Sequence, residues 1–307
     1  TKITGRDREE NYFSFTSLML ISCFSSFVIS ESSFSTAACS SEEATPVLKI
    51  AGIPDQNSST IARRYDVLTS YLSRELGVDV RFVPTVDYAA TVIGFKQGEI
   101  HMAWFGGLTG VQARIAVSGS KVIAHRPRDA EFHSKFIVGA ALDIDDLQDL
   151  QDLSFTFGSE SSTSGHLMPR YYLMQSGIDP DRDFLSPPNY SGSHDKTWKL
   201  VESGAFQAGA LNEAVWDSAV AKGAVDLSKV RVLSATPAYY DYNWTVRGDL
   251  DETFGEGFTA RMQESLLAID DDQREILELF QAEKFVASNN ENYQSIEDVA
   301  AELGILN

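Results

Sequence analysis

Apolar positions along this chain switch repeatedly between two spacings. Residues 47–53 and 78–83 read as strands, short apolar runs bounded by Pro46 and Pro84. Between them Ile61, Tyr65, Leu68 and Leu72 recur at helical spacing, and Gly77 ends that helix. The pattern continues with a helix over 88–97, a turn at Gly98 and a short strand over 100–105 that runs into Gly106 and Gly107. A helix through Val111 and Ile115 follows, then strands near 122–125 and 136–140. A second cycle starts at Ser154. It contains a strand to Phe157, a helix to Gly177, a helix over 195–203, a turn at Gly204 and a strand over 207–211. Asn212 caps a helix that holds Val215, Trp216, Ala219 and Val220. Strands follow over 230–233 and 242–246, and the remainder is mainly helical, over 258–269, 273–280 and 296–303. Strands alternating with helices predict an α/β fold with largely parallel strands.

The two cycles echo each other. Asp87 and Tyr88, a helix, then Lys96-Gln97-Gly98, a strand and Trp104-Phe105-Gly106 match His194 and Asp195, a helix, then Glu202-Ser203-Gly204, a strand and Leu211-Asn212-Glu213. This predicts two lobes of like construction facing each other. Ligands of open α/β sheets bind beyond the carboxyl ends of the strands, so both lobes would give strand-end loops to one cleft.

The densest candidate chemistry lies in residues 158–165. After the apolar run that ends at Phe157, Gly158 is followed by Ser159, Glu160, Ser161, Ser162, Thr163 and Ser164, five of the six hydroxylic. Gly165 then opens a helical pattern through Leu167, Tyr171 and Met174. Hydroxyls and free backbone N–H groups gathered at a helix start attract a small anion, and the helix dipole adds to that attraction. A Ser-rich N-cap without a ligand is the simpler reading, but one hydroxyl suffices for a cap.

Composition narrows the classes. With 307 residues and 43% hydrophobic content the chain can bury a large core. Its net charge of −19 argues against nucleic acid, which requires a basic face. Any anion must therefore be held by local N–H and O–H groups rather than by the overall field. From Ser40 onward there is no cysteine, hence no disulfide framework and no thiolate metal site. No H-E-x-x-H spacing, G-x-S-x-G elbow or G-x-x-x-x-G-K-[ST] loop occurs, so no metal, cofactor or enzymatic activity is expected. A hydrolase built on the serines with His194 and Asp195 is the weaker alternative, because adjacent His and Asp do not readily align as base and orienter. A ligand-binding sensor domain is the other alternative.

Residues 1–45 read as an export segment and linker. Lys2, Arg6 and Arg8 precede a serine-diluted apolar stretch over 12–29, and small residues precede Cys39. The Thr36-Ala37-Ala38-Cys39 run is similar to a bacterial lipoprotein box, which makes Cys39 a lipidation candidate. The protein is then expected in the periplasm or at the envelope surface.

The ordered pieces 51–57 (AGIPDQN), 87–90 (DYAA), 102–107 (MAWFGG), 158–169, 191–195 (SGSHD), 210–212 (ALN) and 237–244 (PAYYDYNW) resemble those of substrate-binding proteins of ABC importers for phosphonate, phosphite and related oxyanions. The branch most similar is the one described as selenate-transporter binding proteins. The resemblance implies the two-lobed periplasmic binding fold (type II), with the ligand clamped between lobes. Lobe 1 would comprise 46–139 plus 243–307 and lobe 2 would comprise 140–242, with hinge crossings near 139–142 and 242–245. A monomer would deliver selenate, phosphite, phosphate or a phosphonate to a membrane permease.

Carried over by position, Ser162, Thr163 and Ser164 match the anion-binding hydroxyls, Tyr88 a tyrosine that reaches the anion from the other lobe, and His194 a cleft histidine. Trp104, Phe105 and Gly106 would wall the cleft beside Asn212. Phe105 stands where phosphonate binders often carry a tyrosine. Tyr240 and Asp241 fall where some relatives contact the amine of an aminophosphonate. Each has a plainer reading as well. Tyr88, Trp104 and Phe105 could be packed aromatics, and His194 a loop histidine. His194, next to Asp195, is expected to be oriented by that neighbour and to bind most strongly when protonated. His166 is expected to lie off the ligand, and His101, His125 and His133 to be structural. Pro169 interrupts the new helix after one turn without an evident reason.

Overall fold

The computed structural model of the protein describes residues 46–306. The expected export segment and the Cys39 lipidation site lie outside the described residues. The chain forms strands β1 (Leu48–Gly52), β2 (Val80–Phe82), β3 (Met102–Phe105), β4 (Lys121–His125), β5 (Ser134–Gly139), β6 (Phe155–Phe157), β7 (Asn189–Tyr190), β8 (Ala208–Asn212), β9 (Val230–Ala235), β10 (Asn243–Val246) and β11 (Val286–Ala287). Its helices are α1 (Ser58–Leu76), α2 (Tyr88–Gln97), α3 (Gly107–Ala116), α4 (Met168–Gln175), α5 (His194–Glu202), α6 (Glu213–Ala221), α7 (Leu250–Phe254), α8 (Phe258–Leu267), α9 (Arg274–Phe280) and α10 (Gln294–Glu302).

The strands build two sheets, in the orders β11-β4-β10-β3-β1-β2 and β7-β6-β8-β5-β9. Each sheet is the centre of one lobe. Parallel pairing is confined to β1 with β2 and β3, and to β6 with β7 and β8. Strands β5 and β10 pair antiparallel with every neighbour, as does β11 with β4. The expectation of largely parallel strands holds in direction, since β1, β2, β3 and β4 run one way in the first sheet and β6, β7, β8 and β9 one way in the second, with β5, β10 and β11 the exceptions. Strands β5 and β10 arrive from the other lobe and insert between strands of their sheets from the end at which those strands finish, so they run the opposite way.

The first crossing also moves. Strand β5 was expected in lobe 1, but it hydrogen-bonds along its length to β8 and β9. The chain therefore crosses at 126–133 and returns at 236–242, before β10 rather than within it. The two crossings pair with each other. Phe132 N donates to Tyr239 O at 2.9 Å, Tyr239 N to Phe132 O at 3.0 Å and Asp241 N to Asp129 O at 3.0 Å.

Local chemistry explains the elements that carry the site. Asn57 caps α1 by accepting from Thr60 N, and Gly77 ends it at φ 69°, a conformation that needs glycine. Ile61, Leu68 and Leu72 bury their side chains under the first sheet beside Tyr65, each of the three aliphatic residues contributing about 1.5–3 kcal/mol. Tyr65 stacks on Phe82 with ring centroids 4.2 Å apart. Arg126, at the start of the first crossing, is buried with its guanidinium 5.2 Å from the Trp104 ring and 5.1 Å from the Tyr242 ring. It donates to both carboxylate oxygens of Asp129 and to Phe280 O. A buried fork of this kind is costly to break and ties the crossing to lobe 1.

Candidate functional site

The hydroxyl-rich segment leaves β6 at Gly158 and winds into a π-turn over Thr163–Leu167 before α4 begins. Ser162 is its N-cap, with Oγ accepting from Gly165 N at 2.9 Å. Leu167 N donates to Ser162 O, and Met168 N to Thr163 O. Pro169 now has a physical account. It stands in the first turn of α4, where a helix N–H has no intrahelical acceptor to lose. Separately, Gly158 N donates to Gly165 O at 2.7 Å. That bond fastens the end of β6 to the π-turn. A Cβ on Gly165 would lie 3.0 Å from Gly158 Cα and 3.1 Å from His194 Cε1, so close packing requires glycine there.

A second helix start faces the first from lobe 1. Gly106 caps α3. Leu108 N donates to Thr163 Oγ1 at 2.9 Å and Gly107 N donates to Asp241 Oδ1 at 2.9 Å. Two orphan N–H groups of α3 are thereby satisfied by side chains from outside its own lobe. The fit is tight: a Cβ on Gly106 would be 3.1 Å from Thr163 Oγ1 and 3.2 Å from Asp241 Oδ1.

Asp241 is 1% exposed, and its Oδ2 has no hydrogen-bond partner. Burial pushes its pKa up to about 7, against the Gly107 N–H and the Ser164 and Thr163 hydroxyls, which pull it down. A buried carboxyl with one free oxygen is able to hold a proton or to accept one from a ligand.

His194 is fully buried at the first position of α5. Its Nδ1 accepts from Asn212 N at 3.3 Å. An amide N–H can only donate, so the proton of the neutral ring sits on Nε2, which is 3.4 Å from Tyr88 Oη. Burial pushes the ring's pKa down to about 4, offset in part by Asp55 and Asp195. The expectation of a cationic His194 oriented by Asp195 is corrected on both counts. The Asp195 carboxylate instead accepts from Ser193 Oγ and pairs with Lys199. Tyr88 opens α2 and is 1% exposed. Burial, with Asp55 and Asp241 nearby, holds its pKa well above the ordinary value, so the phenol keeps its proton.

Asn212 caps α6 through Oδ1 and Val215 N at 2.8 Å. Its Nδ2 donates to Tyr242 Oη at 2.9 Å, and Tyr242 Oη donates to Asp55 Oδ2 at 3.0 Å. Asp55 pairs with the buried Arg64 at 3.6 Å and accepts His194 N through its carbonyl at 3.2 Å. This chain runs from α1 of lobe 1 to α6 of lobe 2. A cavity of about 10 Å³ lies among Asp55, Arg64, Asn212 and Tyr242, room for about one water.

The structure thus brings Tyr88, Ser162, Thr163, Ser164, His194, Asn212, Asp241 and Gly106 to one interlobe junction. It does not bring all the aromatics there in the same way. Phe105 lies edge-to-face on Phe95 in the lobe 1 core, and the Tyr240 ring packs on His125 and Tyr293. Trp104 stacks on Tyr242 at 5.5 Å and backs the junction. Sequence reasoning missed Asp55, Arg64 and the Leu108 N–H. The Gly106-Gly107 pair at a strand-to-helix turn was the available signal for the last of these.

The family model of the ABC transporter, phosphonate, periplasmic substrate-binding protein matches residues 50–293. The chain is 40% identical to the probable ABC transporter phosphite-binding protein PhnD1 of Prochlorococcus marinus, over 95% of this chain and 97% of that protein. It is 24% identical to the phosphonates-binding periplasmic protein of Escherichia coli, over 69% of this chain and 64% of that protein. The solved structure of PhnD1 in complex with methylphosphonate superposes with a TM-score of 0.81 at 41% identity, covering 84% of this chain and 98% of that one. A binding component of an ABC phosphonate transporter from Pseudomonas aeruginosa shares the fold, with a TM-score of 0.74 at 20% identity and coverage of 83% of this chain and 85% of that one.

Proposed function

The chain belongs to the phosphonate family of periplasmic substrate-binding proteins of ABC transporters, and from that premise we propose that it clamps a small phosphorus oxyanion of the phosphite or methylphosphonate type. The anion would accept from the Ser162, Thr163 and Ser164 hydroxyls at the π-turn, from Tyr88 Oη and from His194 Nε2–H. The observation that carries this reading is the convergence of these donors from both lobes beside a buried carboxyl, Asp241, that has one unpartnered oxygen and, unlike Asp55, pairs with no arginine. Donors alone would hold any tetrahedral dianion. A carboxyl able to share one proton favours an anion with a protonatable oxygen, which describes phosphite and phosphonates better than selenate.

The lobes are 46–125 with 243–306, and 134–235. They would close by rotation about the crossings at 126–133 and 236–242. The protein acts as a monomeric carrier without a chemical step, handing its ligand to the membrane permease of the importer. Anchoring through lipidated Cys39 is part of this reading, and labelled-lipid incorporation that is lost in Cys39→Ala tests it. Ligand identity is tested by thermal shift with phosphite, methylphosphonate, phosphate, an aminophosphonate and selenate, since a ligand bound only by the folded state raises its stability. Phosphite or methylphosphonate should give the largest shift. A larger shift with selenate would overturn the assignment to phosphorus oxyanions.

A further inference from the structure

We propose that His166, which does not itself touch the donor junction, is a positioning residue: it braces the anion loop through Glu160 and thereby sets ligand affinity. The inference rests on the reading that Ser162, Thr163 and Ser164 hold the anion.

His166 lies inside the π-turn and is 3% exposed. Its ring is clamped edge-to-face between Phe157, at 4.9 Å, and Tyr190, at 5.0 Å. Both ring nitrogens are engaged. Arg170 Nε lies 2.9 Å from His166 Nε2, and a guanidinium N–H can only donate. Nε2 must therefore present its lone pair, and Tyr190 Oη, 3.2 Å away, shares that acceptor. The ring proton is left on Nδ1, which donates to Glu160 O at 2.6 Å. Burial lowers the pKa of this ring to about 4, and the neighbouring Arg170 cation acts in the same direction, so one tautomer persists near neutrality.

Arg170 is held in turn. Its Nη1 and Nη2 donate to the two oxygens of Asp181 at 2.8 and 3.1 Å, and its guanidinium lies 5.5 Å from the Phe157 ring centroid. The order of support runs from Asp181 to Arg170, to the His166 tautomer, to the Glu160 carbonyl. Glu160 is the second residue of the turn Ser159–Ser162, closed by Ser162 N and Ser159 O at 2.9 Å. Fixing its carbonyl fixes the peptide plane that leads into the three hydroxyls. A loop placed in advance loses less freedom when a ligand binds, so the brace should be read out in affinity. The glutamate side chain has no part in it, since the contact is with the backbone.

Two substitutions separate the two ends of the ring. In His166→Asn the amide nitrogen can take the place of Nδ1 and donate to Glu160 O. In His166→Gln the longer side chain can offer an acceptor to Arg170 but leaves the Glu160 carbonyl without its donor. Phosphite and methylphosphonate serve as probes, with affinity by calorimetry and the melting temperature of the ligand-free protein recorded for each variant. The expected result is affinity within about threefold of wild type for His166→Asn and about fivefold to tenfold weaker for His166→Gln, the worth of one hydrogen bond. Ser164→Ala is the control for the loop itself. Loss of affinity in Ser164→Ala, with His166→Asn and His166→Gln equal to each other, would overturn the brace and leave the loop assignment standing. Affinity unchanged in Ser164→Ala would overturn the loop assignment, and the brace with it.

Discussion

Tyr88 and His194 hold the same place in two like units, the first residue of α2 and of α5, and their side chains meet across the cleft at 3.4 Å. Because His194 Nδ1 accepts from Asn212 N, the Nε2–H points toward the phenol oxygen, and the phenol proton remains free to donate elsewhere. Two donors from opposite lobes thus converge where a ligand oxygen could accept from both. Tyr88→Phe should therefore weaken phosphite binding by about tenfold or more, as expected for a hydrogen bond to a charged partner. The ligand-free melting temperature should change little. Calorimetry with unchanged affinity would remove Tyr88 from the site.

The proposed closure would depend on the small residue Gly106 before α3. The Gly106 Cα comes so near Thr163 Oγ1 and Asp241 Oδ1 that an added methyl would have to displace them. Gly106 has φ −76°, so alanine there adds no backbone strain. Gly106→Ala should leave the fold stable yet hold the lobes apart, lowering phosphite affinity by at least about tenfold, in the range of an overpacked contact. Small-angle scattering should show wild type shrinking on saturation while the variant stays expanded. Equal compaction at equal affinity would contradict the close approach as a condition for closure.

The Asp241 carboxyl also makes stability depend on pH. Its pKa is raised from 3.8 to about 7 by burial. A raised carboxyl pKa means the folded state retains a proton that the unfolded state loses. The contribution is complete below about pH 4 and is lost as pH rises toward 7, by at most on the order of 4 kcal/mol. In the ligand-free protein Asp241→Asn should remove this part of the decline. Melting curves at steps between pH 4 and 8 give the test, and the same slope in wild type and variant would refute it.

Much of this site was legible in the sequence because it is made of local signals. Five hydroxyls between an apolar run and a helical pattern mark a helix start wherever the fold places them, and Asn212 opens α6 and caps it through its side chain. What could not be read was long-range. The Arg64–Asp55–Tyr242–Asn212 chain joins residues far apart in sequence, each a common surface type when taken alone. The partner of His194 was misread for the same reason. Asp195 is adjacent in sequence, but side chains at neighbouring helix positions point apart, and the true partner is a backbone N–H at the end of β8. The alternation of strands with helices gave the common strand direction but not its exceptions β5 and β10, which obey the crossing between lobes.

The pH dependence of binding separates two titratable groups at the junction, His194 and Asp241, which lie there with Asp55 and Tyr88. His194, with a pKa near 4, is neutral across the range from pH 5.5 to 8, whereas Asp241, near 7, titrates within it. Phosphite bound beside Asp241 would share one proton with it, whichever partner supplies that proton. Above the free pKa of Asp241 this proton must be taken up from solution, so wild-type affinity should fall by up to about tenfold per pH unit. Phosphite itself titrates nearby, but that contribution is common to wild type and variants and cancels in their ratio. The ratio of wild-type to Asp241→Asn affinity should therefore decrease as pH rises from 6 to 8. The ratio of wild-type to His194→Gln affinity should exceed unity and stay level, because a neutral Nε2–H donor is lost rather than a titrating charge. A level ratio for Asp241→Asn, or a sloping one for His194→Gln, would reverse these roles and restore a cationic histidine as the group that senses pH.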